Sequence, residues 1–444
     1  MRRDALAIFR AALNAADAYQ AVRRHLSLSR GRLHAGALRI ALNRFDRVFL
    51  IGAGKAALPM AAAAADVLGD CIDGGLLITK RGHAGSSIPG IPVIEAGHPI
   101  PDRNGLAASK RVLELLSQLN ARDLLIVLVS GGASALLPAP AEPITLRDKQ
   151  RTTKLLLKAG ANISELNAVR KHLSALKGGN LATRAHPAMV VGLLLSDVIG
   201  DPLDTIGSGL TAPDPTTFAD AVAVLDNYDL TQRIPAAVRD RLLQGAAGAL
   251  PDTPKPGDPI FRNVQNVIVG SNRLALEAAA AKARSLGYRT LILSSIIQGE
   301  ASEVARVHAQ ILHEIHLSGN PVKRPACILS GGETTVTVRG RGKGGRSQEF
   351  ALAAAIAIAG LPASIILSAG TDGTDGPTDA AGAVASASTL GRAAQLGLDA
   401  AKHLDANDSY PFFDALGDLI RTGPTGTNVM DIHIMLAGGS SARS

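Results

Sequence analysis

Short apolar runs alternate with helical stretches along almost the whole chain, and glycines cluster between the runs. Arg47–Ile51, Gly75–Thr79, Leu124–Val129 and Met189–Leu195 are apolar segments of strand length, the mark of strands covered on both faces. Between them, Lys55–Leu68, Arg103–Leu119, Thr145–Ala159 and Ile163–Leu176 carry helical periodicity or high helix propensity. Alternation of this kind predicts a doubly wound parallel sheet with helices on both faces. Ligands of such sheets bind in the crevice beyond the carboxyl ends of the strands, so the glycine-rich strand ends are where chemistry is expected.

The segment Gly245–Pro259 holds four Pro and three Gly and no apolar period, which reads as a linker. Beyond it the alternation resumes with strand Asn266–Val269, helix Arg273–Leu286, strand Arg289–Ser294, helix Glu300–Leu317 and strand Ala326–Ser330. A hairpin over Thr334–Arg339 with its turn at Gly340–Gly345, helix Gln348–Ala359, strand Ser364–Ser368 and a late strand Asp431–Leu436 complete the run. A chain of 444 residues exceeds one average domain of roughly 100–200 residues. The expected division is 1–247, a connecting 248–260, and a second α/β domain over 261–444, with the site in the cleft between them.

Composition narrows the function. The net charge of +8 suits an anionic partner, but aromatic residues make up only 3% and the basic ones are dispersed except in Arg339–Arg346. Nucleic acid wants a basic stripe with stacking rings, so a small anion is the better reading. Cys71 and Cys327 are too few for a disulfide framework and fit two buried thiols of a reducing compartment, hence a cytoplasmic protein. The eleven His form no HExxH pattern, which argues against zinc, and no apolar stretch reaches ~18 residues, which argues against a membrane span. Met1–Leu26 is Arg-rich, yet Asp4 and Asp17 fit an amphipathic first helix better than a transit peptide.

Several loops carry groups that chemistry needs. Gly52-Ala53-Gly54-Lys55-Ala56-Ala57 meets the relaxed dinucleotide fingerprint, but Thr79-Lys80-Arg81 stands where the ribose-binding acid belongs. What survives is a glycine turn at a helix N-terminus beside Lys55, a place that favours an anion. Ser130-Gly131-Gly132-Ala133-Ser134 and Ser330-Gly331-Gly332-Glu333 each end a strand, as phosphate- or carboxylate-binding turns do. Glycine can also serve only to let the chain turn. Arg170 and Lys171 are either the solvated face of their helix or ligands for an anion. Ser196-Asp197-Val198-Ile199-Gly200-Asp201 brings two carboxylates to the edge of the sheet, where they hold Mg²⁺, accept a hydroxyl proton, or merely cap a turn. Arg339, Arg341, Lys343 and Arg346 among four glycines suit a mobile lid over polyphosphate. The loop Gly370-Thr371-Asp372-Gly373-Thr374-Asp375-Gly376 reads as a nucleotide or Mg²⁺ loop, and Thr422–Asn428 adds polar contacts. No Gly-x-Ser-x-Gly elbow and no activated Cys are present, whereas cationic glycine loops and a few Asp are what phosphoryl transfer requires.

These motifs resemble those of the glycerate 2-kinases whose C-terminal part is called the MOFRL domain, a family whose members have also been labelled hydroxypyruvate reductases. The likeness runs from Val48 to Leu436 through Gly52–Ala57, Gly97–Asp102, Ser130–Leu136, Asn167–Ala182 and Ser196–Asp201. It continues through Ser330–Val338, Gly344–Glu349, Gly370–Ala383, Asn407–Phe413 and Thr422–Val429. Ala133, Leu210 and Ser347 depart from residues usual in the family (Gly, Pro and Asn) without removing a charge. The resemblance implies a Rossmann-like N-terminal domain, a second α/β (MOFRL) domain, and ATP with Mg²⁺ acting on D-glycerate. The family's catalytic Lys and Arg fall on Lys55 and Arg346.

On that basis the expected catalytic residues are Lys55, Arg346, Asp197 and Asp201. Gly54, Ser130, Gly131, Gly132, Ser134, Arg170 and Lys171 would hold glycerate. Gly331, Gly332, Glu333, Thr371, Asp372, Gly373, Asp375 and Asn428 would hold the nucleotide, with Asp197 and Asp372 on the metal. The oligomeric state stays open, a homodimer included. The rival reading is an NAD(P)H-dependent hydroxypyruvate reductase; a non-enzymatic anion-binding regulator is a third.

Overall fold

A computed structural model describes residues 1–83, 85 and 88–439 and divides into two compact units. The first unit, Ala18–Ser196 with Asp201–Val269, opens with a small antiparallel meander of β1 (Leu26–Ser29), β2 (Arg32–Ala35) and β3 (Leu38–Ala41). Its main sheet comprises β4 (Arg47–Ala53), β5 (Gly74–Lys80), β6 (Val93–Ala96), β7 (Asp123–Val129), β8 (Met189–Leu195) and β9 (Val264–Gly270). The strand order is β6-β5-β4-β7-β8-β9, and β4 to β8 pair in parallel with β6. Every residue of β7 is buried, as the unbroken apolar run Leu124–Val129 requires of a central parallel strand, and Asp123 at its start is paired with Arg47.

The second unit comprises Met1–Asp17, Asp197–Gly200 and the chain from Gly270 onward. Its strands are β10 (Arg289–Ile297), β11 (Ala326–Gly332), β12 (Ser364–Gly370), β13 (Gly382–Ser386), β14 (Leu419–Ile420) and β15 (Asp431–Ala437), in the order β10-β11-β15-β12-β13-β14. This sheet is mixed: β15 lies antiparallel between β11 and β12, fully buried along its length. The last strand therefore completes the second sheet. The helix Arg346–Ala357 is buried from Ser347 to Ala355, and its Phe350 stacks on His433 of β15 at 4.2 Å between ring centroids.

The boundaries differ from expectation. β9, expected to open the second domain, is the last strand of the first sheet. The helix Arg2–Ala16 packs on the helix Asn272–Ser285 of the second unit, where Asp4 accepts from Tyr288 Oη at 2.8 Å. The expected linker is packed: Thr253 Oγ1 donates to Asp214 at 3.0 Å and Asp214 N–H to Pro254 O at 2.9 Å. Its prolines serve as rigid turns within one unit. Cys71, expected inside, is exposed, while Cys327 is buried and its thiol pushed up to about 12 by burial.

The hairpin over Thr334–Arg339 does not form. Residues 339–343 run along Ala406–Asp408 instead: Asn407 Oδ1 accepts the N–H groups of Arg339 (2.7 Å) and Gly340 (2.9 Å), and Asp408 Oδ1 that of Lys343 (2.9 Å). A Cβ on Gly340 would lie 2.1 Å from Ala406 O, so these glycines permit close backbone approach, and the basic segment is a pinned strap.

Candidate active site

The carboxyl ends of β4 and β7 are fastened to each other. Ser130 N–H donates to Ala53 O (3.0 Å), Lys55 N–H to Gly131 O (2.9 Å), and Ala56 N–H to Ser130 Oγ (3.0 Å). Gly54 is glycine for this contact: at φ +136° its Cβ would sit 2.1 Å from Ser130 Oγ and 2.6 Å from Ser130 O. The backbone donors expected to hold an anion at Gly54–Ala56 are thus consumed inside the protein. The ammonium of Lys55, which makes no hydrogen bond or ion pair among the described residues, is what this turn offers a ligand.

The neighbouring turn keeps its donors. The N–H groups of Gly131 and Gly132 make no hydrogen bond among the described residues. A Cβ on Gly132, at φ +90°, would lie 2.9 Å from the His98 ring and 3.6 Å from Lys55 Cγ. The space left by the absent side chain is bounded by a cation and an imidazole. Burial, then the Lys55 charge, pulls His98 below its usual range, which leaves the ring neutral at pH 7. Sequence reasoning placed His98 in a motif and gave it no role.

Two buried lysines and a half-buried arginine stand behind this turn. Arg170 Nη2 donates to Ser134 Oγ at 2.6 Å, Ser134 Oγ meets Ser208 Oγ at 2.7 Å, and Lys177 Nζ reaches Ser134 O. Lys149 Nζ reaches Pro138 O. Neither Lys149, Arg170 nor Lys177 has a carboxylate partner among the described residues, and burial lowers all three. Uncompensated buried positive charge favours an anion nearby. Lys149 and Lys177 were not singled out in the sequence, because Lys149 sits among the other charged residues of the helix Leu146–Ala159 and Lys177 in a turn, and neither place signals a side chain that points inward. Lys171, expected beside Arg170, is buried and committed to Asp204 (2.9 Å) and Asp214 (3.1 Å). Its neighbours therefore divide: Arg170 serves the Ser130–Ser134 turn and Lys171 an internal ion pair.

In the second unit the strand ends meet at an arginine. Arg346 opens its helix and makes a two-pronged bond to Asp431 (2.6 and 3.0 Å) and an ion pair with Glu333 (2.8 Å). Burial works to lower Arg346, but the bond to Asp431 and the charges of Glu333 and Asp375 hold it above its ordinary value. Asp431 begins β15, flanked in register by Gly332 and Gly370, and burial pushes it up to about 7. Asp375 accepts the N–H groups of Ser347 (3.1 Å) and Gln348 (2.8 Å) and is raised to about 6, burial outweighing those bonds. The N-terminus of this helix, a place suited to phosphate, is occupied by this carboxylate. Asp431 went unnoticed in the sequence because an acid heading an apolar strand looks like a turn former.

Other expected nucleotide residues are turned inward. Thr371 Oγ1 donates to Met430 O (2.7 Å) and accepts from Val429 N–H (2.8 Å), and Asn428 Oδ1 accepts from Met430 N–H (2.9 Å). A Cβ on Gly331 would meet Asn272 Oδ1 at 2.1 Å, one on Gly332 the Ile297 O at 2.1 Å, and one on Gly373 the Gly423 O at 2.0 Å. Asp372 Oδ1 closes its own loop on Thr374 N–H at 3.0 Å. Glu333 and Asp375 alone of that set line a cavity of about 750 Å³ beside Arg346. Asp201 adopts φ +55°, and its buried Oδ1 has no hydrogen-bond partner among the described residues. Among the described residues no group of three or more His, Cys, Asp or Glu could hold a metal ion.

Comparison with known proteins gives the lineage. Residues 4–243 match a Domain of unknown function (DUF4147), and residues 326–431 match the MOFRL family. A Thermotoga maritima protein named D-glycerate 2-kinase is 45% identical over 391 residues, covering 88% of this chain and 91% of its own. An Agrobacterium vitis protein named putative hydroxypyruvate reductase is 43% identical over 88% of this chain and 87% of its own. A crystal structure from Pyrococcus horikoshii superposes with a TM-score of 0.91 at 40% identity, over 99% of both chains. No helix among the described residues is long and apolar enough to cross a membrane. With near-complete coverage and both signature regions in place, the chain belongs to the glycerate kinase family.

Proposed function

We propose that the chain is an ATP-dependent glycerate 2-kinase, transferring the terminal phosphoryl group of ATP to the 2-hydroxyl of D-glycerate. The observation that carries the reading is the Ser130–Ser134 turn, with open N–H groups on Gly131 and Gly132 beside the unpaired Lys55 ammonium. A small carboxylate is the ligand these donors fit, backed by Arg170 through Ser134. Lys55 and Arg346 are assigned to the charge that develops on the phosphoryl group in flight, the term on which such catalysis mostly depends. Asp197 or Asp201 orients the attacking hydroxyl or takes its proton. The buried, unpartnered Oδ1 of Asp201 supports the latter role for that residue.

Magnesium suits this donor set as a companion of the nucleotide, since it usually keeps its waters and phosphate oxygens and takes one or two carboxylates. Asp197 and Asp372 would supply them, Asp372 through Oδ2 because Oδ1 already accepts from Thr374. When bound, the ion would supply charge neutralisation for the phosphates. The glycine fingerprint at Gly52–Ala57 gives a nicotinamide cofactor little purchase, because the room at Gly54 is taken by Ser130.

The test is ADP release from Mg-ATP with D-glycerate, run beside NADPH loss with hydroxypyruvate. Glycerate-dependent ADP release without NADPH oxidation is expected, with the product identified as the 2-phosphate by NMR. NADPH oxidation without ADP release would overturn the reading.

A further inference from the structure

We infer that the nucleoside half of ATP sits in the cavity behind Arg346, walled by Ile199, Val336, Val338 and Pro377, and away from the Thr371–Gly373 loop. The inference rests on the kinase reading and goes beyond it by placing the base and ribose. The cavity, about 750 Å³, falls in the range of roughly 300–1,000 Å³ typical of sites for ligands of this size. Its apolar wall includes Val338, which is 76% exposed, a large side chain held in water where an aromatic base could cover it.

Two of the polar groups lining the cavity keep hydrogen-bonding capacity in reserve. Thr334 is buried, and its Oγ1 has no hydrogen-bond partner among the described residues. Glu349 Oε2 accepts from Asn407 Nδ2 at 2.9 Å, which leaves Oε1 for a ribose hydroxyl. Burial raises Glu349, as it would an acid in a pocket that a ligand shields from water. Arg346 and the strap glycines Gly342, Gly344 and Gly345 line the same space, so the phosphates run toward the guanidinium. One guanidinium faces Glu333, Glu349 and Asp375. That imbalance repels a bare triphosphate and accepts one whose charge a divalent cation has already met. The Thr371–Gly373 loop, by contrast, spends its hydroxyl on Met430 and Val429 and its glycine on close packing against Gly423.

The chain contains no Trp, so Val338→Trp introduces a single reporter at an exposed position. Its emission is expected to shift on addition of MgADP and to stay unchanged with D-glycerate alone. Val336→Trp, which fills the cavity, is expected to weaken MgADP at least tenfold by calorimetry while D-glycerate affinity is kept. Silent emission from Val338→Trp at MgADP concentrations that saturate by calorimetry would overturn the placement, as would undiminished MgADP affinity in a folded Val336→Trp protein. A wild-type protein that binds no MgADP and releases no ADP with D-glycerate would instead sink the kinase reading itself.

Discussion

Replacing Gly54 by Ala tests whether the contact between the β4 and β7 turns holds the site together. The new Cβ would stand 2.1 Å from Ser130 Oγ and 2.6 Å from Ser130 O at φ +136°. A non-glycine residue in so sparsely populated a region costs on the order of 1–3 kcal/mol. Forcing a methyl group against packed backbone adds typically about 1–3 kcal/mol. Rotation of the Ser130 hydroxyl relieves one clash only by losing its bond to Ala56, and the carbonyl moves only if the turn does. A total near 4 kcal/mol, in a unit of about 250 residues, lowers its melting temperature by about 8–16 °C. If the turn shifts, Lys55 shifts with it, because Lys55 N–H is bonded to Gly131 O. Displacement of such a group by about 1 Å can cost about 10²-fold in rate. The control is Gly160→Ala, at φ +86° with nothing within 4 Å of the new Cβ, which isolates the conformational term alone. Calorimetric melting and steady-state ADP release should separate the two variants in both quantities. Equal melting temperatures and equal kcat/KM would refute the reasoning.

Lys55→Ala and Arg346→Ala should each lower kcat by about 10³-fold, with the fold of Lys55→Ala intact by circular dichroism; near wild-type turnover in either removes its assignment. Lys171→Met leaves Asp214 buried and unpaired on that side and should destabilise by about 3–5 kcal/mol in urea melts; an effect below about 1 kcal/mol would count against it. Asn407→Ala removes the acceptor of two strap N–H groups and should raise hydrogen exchange across residues 339–343 severalfold, with the core strands unaffected. Asp375 and Asp431, lifted by burial to about 6 and about 7, hold protons in the folded chain that the unfolded chain releases near pH 4. Their contribution is fully present below pH ~4 and is lost as pH rises through about 6–7, so Asp431→Asn should flatten the fall in stability between pH 5 and 8; parallel wild-type and variant curves would contradict the sign.

Much of the first sheet could be read from residue order alone. Its strands are covered on both faces, and full burial turns them into continuous apolar words such as Leu124–Val129 that resemble little else. The second sheet was harder because β15 enters antiparallel between β11 and β12, a choice made by tertiary pairing that leaves no local trace in Asp431–Ala437. The strap was misread as a hairpin because its glycines answer to Ala406–Asp408, a partner more than sixty positions away, and not to a turn of their own. The same distance hid the site's supporting groups. Lys55, Arg346 and the Ser130–Ser134 turn announce themselves by glycine and charge at strand ends, whereas Lys177, Asp431 and Asn407 matter only through what they touch.

The placement of the helix Arg2–Ala16 against Asn272–Ser285, with Thr427 Oγ1 bonded to Ala16 O at 2.5 Å, bears on how the molecule is made. Nascent chains generally fold domain by domain as they emerge. Here the helix Arg2–Ala16 must wait, its apolar face uncovered, until some 250 later residues have been synthesised and its partner helix appears. The second sheet waits longer still, because β15, which lies between β11 and β12, is made after the other five strands of that sheet. The first unit can be finished early, and the second closes only when residues 1–17 meet the segment from Gly270 onward. A cut between the units at either 17–18 or 269–270 would yield two fragments that have to be mixed to recover the second unit.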